Sequence, residues 1–332
     1  MMSLFKTKGF FAFLSMIFLN AFVDLGHKII IQNTIFKIYD GSTQVILTAI
    51  INGLILLPFI LLFTPSGYLA DRFNKPKIMR WSAVLAVVIT ILITVSYYFG
   101  WFELAFAMTF LLAMQSAFYS PAKYGYIREI AGKNQLSLAN GLVQSVTIVS
   151  ILLGMFVFSI LFENLLADQI YKSEADILKL IAPLGWVLIA VTLIELYFST
   201  KLPLLVTSTL KTAFDWKQYR TGKTLFSNFK LLRADSLIFL SIIGLSMFWG
   251  VSQVVLAAFP AFAKEALAIE NTIVIQGLLA CSGIGIVIGS LLAGKISHDH
   301  IETALIPIGA LGMVVTLFFL PQIPSTLWLS ID

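Results

Sequence analysis

The feature that most constrains this chain is a series of apolar blocks, each about 20 residues long, the length that carries a helix rising 1.5 Å per residue across a hydrocarbon core of about 30 Å. They lie near 10–36, 44–66, 78–99, 102–120, 138–162, 180–200, 236–262, 273–294 and 302–320, and a tenth begins near Leu327. Helices are expected, because a backbone facing lipid must bond to itself and the alternation of barrel strands is missing. Charged residues make up only 12% of the 332, against about 25% in a soluble domain, so the folded surface is not built for water. No small-residue cleavage site follows the apolar run Phe10 to Leu19, and that run is expected to remain as a span. The lone Cys281 excludes a disulfide framework, a CxxC redox pair and a cysteine metal cluster.

The net charge of +5 is a matter of topology rather than of nucleic-acid binding. With a cytoplasmic N-terminus, 17 of the 22 basic residues fall inside, against four outside (Lys37, Lys172, Lys179, Lys264) and Lys28 within a span. This asymmetry sets the orientation. The longest interruption, 201–235, mixes Lys211, Lys217, Arg220, Lys223 and Lys230 with Phe214, Trp216, Tyr219 and Phe226. It is expected to be a cytoplasmic linker resting on an anionic leaflet, with six spans before it and at least three after.

The second span closes in Gly67-Tyr-Leu-Ala-Asp71-Arg72-Phe-Asn-Lys75-Pro-Lys77 on the positive side. This resembles the signature loop of the major facilitator superfamily, in which a glycine permits close helix approach and an acid precedes ordered basic residues. A weaker echo, Leu292-Ala-Gly294-Lys295-Ile-Ser297, ends the eighth span without the acid, as two related halves would leave it. The resemblance implies an all-α polytopic membrane protein whose twelve-span fold is here truncated to nine spans and the start of a tenth. The expected division is a six-helix bundle over 1–200, a basic linker over 201–235 and a partial second bundle over 236–332. It also implies that Gly67, Asp71, Arg72 and Lys75 form a conformational gate, the acid meeting the opposite half. The loop says nothing about cargo.

Cargo has to be read from polar groups inside the bilayer, which are costly there and face a cavity or a partner. In the first span Asn20, Asp24, Lys28 and Gln32 recur every four residues and share a face, with His27 beside them. Asp24 and Lys28 are spaced for an intrahelical ion pair, and the stripe is expected to line a central cavity. Asn140, Gln144 and Thr147 form a second stripe; Gln115 and Tyr119 lead toward Lys123, and Gln253 and Gln276 lie in the seventh and eighth spans. Twenty-eight phenylalanines and few intramembrane charges suit an amphiphile with an acyl tail better than a sugar. HEXXH, GXSXG and nucleotide-binding glycine loops are absent, and His298-Asp-His300 offers no third metal ligand. No catalytic residues, metal or cofactor are expected.

Three further strings, Tyr119-Ser-Pro-Ala-Lys123-Tyr-Gly125, Ala139 to Gly154 and Ser246-Met-Phe-Trp-Gly250, resemble the lysophospholipid transporter family. That family includes transporter domains fused to 2-acylglycerophosphoethanolamine acyltransferase and acyl-carrier-protein synthetase modules. The resemblance implies a flippase in a bacterial-type inner membrane that returns lysophosphatidylethanolamine-like lipids to the cytoplasmic leaflet for reacylation. It places Asp24 at the family's acid and Lys123 at its basic residue. Asp24 is flanked by Val23 and Leu25, and where the family's stand-alone transporters place an arginine in the seventh span no basic residue precedes Lys264; His27 and Lys28 are expected to supply that charge, as in the fused branch. The coupling ion, Na+ or H+, stays open. So do two other readings: a drug or metabolite exporter of the superfamily, and the membrane domain of an acyltransferase whose catalytic modules lie beyond residue 332.

Overall fold

The computed structural model describes residues 2–132, 135–205, 214, 216–297 and 305–319. Within them every regular element is a helix: α1 (Met2–Phe5), α2 (Phe10–Ile38), α3 (Gly41–Arg72), α4 (Lys75–Phe99), α5 (Phe102–Ala131), α6 (Leu136–Leu166), α7 (Glu174–Leu180), α8 (Pro183–Thr200), α9 (Trp216–Arg220), α10 (Lys223–Ala234), α11 (Ser236–Ala266), α12 (Thr272–Ser297) and α13 (Leu305–Phe319). Seven are long and apolar enough to cross a membrane, and α12 and α13 carry shorter apolar runs. The chain is a multi-pass membrane protein. The expected tenth span from Leu327, His298 to His300, Lys133 and much of the 206–215 stretch lie outside the described residues.

Polarity is arranged for lipid. Ile60, Phe63 and Trp81 are two-thirds or more exposed, whereas His27, Thr90, Gln115, Thr192 and Glu195 are at 0% exposure in the interior. Apolar side chains gain nothing by hiding from hydrocarbon, so interior contacts rest on small residues and hydrogen bonds. Thr90 meets Thr192 at 3.1 Å and Asn33 donates to Ser159 at 3.2 Å. Gly26 marks one such close approach: a Cβ there would lie 2.3 Å from the Phe158 ring. α2 packs on α6 and α8, α4 on α5 and α8, and α3 on α5, while α11 adds to α3 and α12 to α6.

The helices overrun the apolar blocks. α3 extends to Arg72, so Gly67 to Arg72 is the last helical turn and a half, and only Phe73 and Asn74 join it to α4. Pro76 in the first turn of α4 needs no donor there. α5 continues past Pro121 to Ala131, which makes the Ser120-Pro-Ala-Lys123-Tyr-Gly125 string helical and inward-packed rather than a loop after the span. α4 ends on Gly100, whose φ of +70° a side chain would strain. α7 was not foreseen. Ser173 caps it by accepting from the Asp176 N–H, and Asp176 accepts from the Ser173 and Lys172 amides, which hold its carboxyl below the usual aspartate range.

Candidate functional site

Asp24 faces a cavity of about 230 Å³ enclosed by α2, α3, α5 and α6. Its polar lining includes Asn20, Asp24, Ser116, Tyr119, Lys123 and Thr147; Ile55, Phe59, Leu112 and Ile151 supply the apolar wall. One carboxylate oxygen of Asp24 accepts from the Ser116 hydroxyl, and the other is buried without a partner. Lys123 is the cation whose field Asp24 feels, yet the two close no ion pair among the described residues. The Lys123 ammonium instead rests over the ring of Tyr124, 4.6 Å from its centroid, and near Tyr119. Opposite charges thus line one cavity with bonding capacity to spare.

The expected Asp24–Lys28 ion pair does not form. Lys28 lies one turn beyond Asp24 along α2, does not line the cavity, and has no acid within ion-pairing distance among the described residues. His27 points into the bundle instead: its Nε2 donates to the Ala105 carbonyl at 3.0 Å, so its Nδ1 accepts from the Tyr97 hydroxyl at 2.7 Å. Both ring nitrogens are occupied, which makes this histidine a strut between α2, α4 and α5. Gln32 sits in a tight seam with Asn33, Phe36 and Gln276. Asn140 and Gln144 are exposed on α6 and Gln253 is half-buried on α11; of the second stripe only Thr147 reaches the cavity.

Glu195 of α8 escaped the sequence reading. It is completely buried, both carboxylate oxygens lack a hydrogen bond, and its electrostatic neighbours are Asp24 and Tyr119, itself unpartnered at the hydroxyl. Asn20 lies beside it without closing a bond of good geometry. An acid in the apolar run Val191 to Leu196 was signal enough under the rule that selected Asp24.

The gate residues make their printed bonds locally. The Arg72 guanidinium donates to Tyr68 at 2.5 Å and stacks against Tyr68 and Phe73; Lys75 pairs with Glu129 of α5 at 2.5 Å. Apart from the neighbouring turns of α3 itself, no described atom lies within 4 Å of where a Gly67 Cβ would stand, so close helix approach does not occur there in this conformation. Asp71 is engaged and exposed.

The polar bonds between the first six long helices and α11–α12 collect at the other end of the molecule. Glu163 of α6 takes the Thr272 amide at 2.8 Å, the Thr272 hydroxyl at 2.6 Å and the Lys37 ammonium at 3.1 Å. Thr272 opens α12, so the carboxylate also meets the positive end of a helix. Lys264 pairs with Asp40 at 2.5 Å and donates to the Phe36 and Tyr39 carbonyls, and Lys37 reaches the Glu270 carbonyl. Tyr39 donates to Glu174; that bond, then burial and the charges of Glu174 and Glu103, push its phenol up to about 12. This end is sealed. At the opposite end of α6, Asn140 and Gln144 stand exposed.

Comparison with known proteins agrees with this architecture. The profile described as Major Facilitator Superfamily matches residues 9–331. The chain is similar to Lysophospholipid transporter LplT of Pectobacterium carotovorum subsp. carotovorum (strain PC1), 29% identical over 270 residues, which is 80% of this chain and 59% of the relative. It is also similar to the protein of that name from Enterobacter sp. (strain 638), 29% identical over 321 residues, 94% of this chain and 72% of the relative. The chain therefore spans about three-fifths of the length of the first of these. Among solved structures, a bacterial homologue of the human lysosomal transporter Spinster, in an inward-facing and unoccupied conformation, superposes with a TM-score of 0.53 at 17% identity, covering 86% of this chain and 63% of that one.

Proposed function

The chain belongs to the major facilitator superfamily, and from that premise we propose that it moves a lysophospholipid with a zwitterionic headgroup between leaflets by alternating access. One observation carries the reading: Asp24 and Lys123 face the same cavity and, among the described residues, form no ion pair, with a carboxylate oxygen left over on one and aromatic faces against the other. A headgroup phosphate placed at Lys123 and an ammonium at Asp24 would satisfy both. About 230 Å³ is less than the roughly 300–1,000 Å³ of sites that enclose a whole drug-sized ligand, so the cavity suits a headgroup. The single acyl chain then lies along the apolar wall of Ile55, Phe59 and Ile151. The names of the relatives support the same cargo.

Lys28, one turn deeper along α2, is a second phosphate contact once the helices shift. The seal at Glu163 and Lys264 is the outer gate, the Arg72 end faces the cytoplasm of a bacterial inner membrane, and the lipid travels inward for reacylation by fused or associated acyltransferase modules; the chain itself performs transport and not catalysis. The test is uptake of labelled lysophosphatidylethanolamine by spheroplasts expressing the full reading frame, with Asp24→Ala and Lys123→Ala compared at equal membrane levels. Loss in both variants is expected. Absence of uptake by the unaltered protein would sink the lipid reading and favour an exporter of small metabolites.

A further inference from the structure

The linker carries a surface that the transport reading leaves unused. From Trp216 to Ala234 the chain has five cations, Lys217, Arg220, Lys223, Lys230 and Arg233, and no acid. All five are exposed, and so are Trp216, Phe226, Phe229 and Leu232, at 61%, 74%, 50% and 42%. At 100° per residue, Phe226, Phe229 and Leu232 fall within an arc of about 120° on α10; Arg233 falls inside that arc, and Lys230 and Lys223 border it at about 40° and 60° from Phe226. Only Asp235 separates α10 from α11, which goes on to cross the membrane. α10 therefore lies at the bilayer boundary, with an apolar arc fit for acyl chains and long basic side chains in and beside that arc whose ends can reach phosphates.

The linker is also fastened to α3 at one particular atom. Pro65 has no N–H, so the Leu61 carbonyl, its acceptor in a regular helix, is left without a bond. The Tyr219 hydroxyl donates to that carbonyl. Phe214 packs between Tyr219 and Tyr68, with ring centroids 5.6 and 5.0 Å away, and Tyr68 accepts from Arg72. A continuous set of contacts runs from α9 through the proline site to the turn that holds Arg72.

We propose that α9 and α10 form a docking surface for anionic phospholipid headgroups, latched through Tyr219 to the carbonyl freed by Pro65, so that leaflet charge acts on the Arg72 end of α3. The test uses the full reading frame in nanodiscs of phosphatidylcholine alone or with phosphatidylglycerol. An environment-sensitive fluorophore at Leu232→Cys, in a Cys281→Ser background, reports contact with a headgroup-labelled quenching lipid. Quenching is expected to rise with phosphatidylglycerol. Each surface cation contributes roughly fivefold to such binding, so Lys223→Gln, Lys230→Gln and Arg233→Gln together should weaken the preference on the order of 100-fold. Salt at about 0.5 M screens the same charges without substitution and should reduce the preference as well. Equal quenching in both lipids, or a preference untouched by salt and by the triple change, would overturn the docking surface. For the latch, phosphatidylglycerol should slow amide exchange around Phe63 to Gly67 in the parent and not in Tyr219→Phe. The same slowing in both would overturn the latch alone.

Discussion

Glu163→Ala should unseal the closed end of the molecule. The substitution removes a carboxylate that accepts from the Thr272 amide at 2.8 Å and hydroxyl at 2.6 Å and pairs with Lys37 at 3.1 Å. A hydrogen bond to a charged group nets about 1.5–3 kcal/mol, and a partly exposed ion pair adds at most about 1 kcal/mol. The three share one carboxylate and are not additive, so the combined loss is about 2–4 kcal/mol. At tenfold per 1.4 kcal/mol, the sealed form loses roughly 30- to 1,000-fold of its population relative to forms open at this end. Paired spin labels at Gln169→Cys and Glu270→Cys, both exposed positions flanking the seal, in a Cys281→Ser background, read the separation directly. A longer and broader distance distribution is expected in Glu163→Ala, with Glu163→Gln intermediate because it still accepts from Thr272. An unchanged single distance would refute the reasoning and shift the seal to Lys264 and Asp40.

Three further outcomes follow from other parts of the molecule. Gly26→Ala drives a methyl to 2.3 Å from Phe158; overpacking of this kind costs about 1–3 kcal/mol, so thermal stability in detergent should fall and recover with Phe158→Leu. Among the described residues Glu195 has neither an ion-pairing cation nor a hydrogen bond of good geometry to offset a charge, and a buried unpaired carboxylate costs several kcal/mol; Glu195→Gln should therefore leave the melting temperature unchanged or raise it, and a clear drop would show a partner in the folded state. Asp176 is held below the ordinary aspartate range by the amides of Lys172 and Ser173, so its contribution is present at neutral pH and is lost as pH falls through that lowered value. Amide exchange at those two residues should quicken there, after correction for intrinsic rates, and Asp176→Asn should quicken it already at neutral pH.

The helical architecture was legible because apolar length alone fixes where a chain can span, and the family resemblance rested on strings such as Ser120 to Gly125. Asp24 was legible for a related reason, since an acid in lipid needs a cavity. Lys123 was legible only through the family resemblance, and the pairing that spacing assigned to Asp24 was wrong. Spacing of four put Lys28 within reach, but fold geometry brought Lys123, 99 positions away, to the same cavity and turned His27 toward Tyr97 and Ala105. Glu195 could have been found by applying to the sixth span the rule used on the first. The seal was beyond sequence reading, because Glu163, Thr272, Asp40 and Lys264 sit at span ends where charge is ordinary, and their meaning lies in contacts across more than 100 residues. The Tyr219 contact had half a signal: Pro65 announces a freed carbonyl, but nothing local says what fills it.

Headgroup discrimination by the two cavity charges tests the central claim most directly. In proteoliposomes containing the full reading frame, Asp24→Asn should cut uptake of lysophosphatidylethanolamine about 10- to 100-fold, the worth of one charged hydrogen bond, while sparing lysophosphatidylglycerol, which has no ammonium. Lys123→Gln should depress both. Uptake of the two lipids falling in parallel in Asp24→Asn, or either lipid moving at the parental rate in Lys123→Gln, would contradict recognition of the headgroup by opposite charges in one cavity.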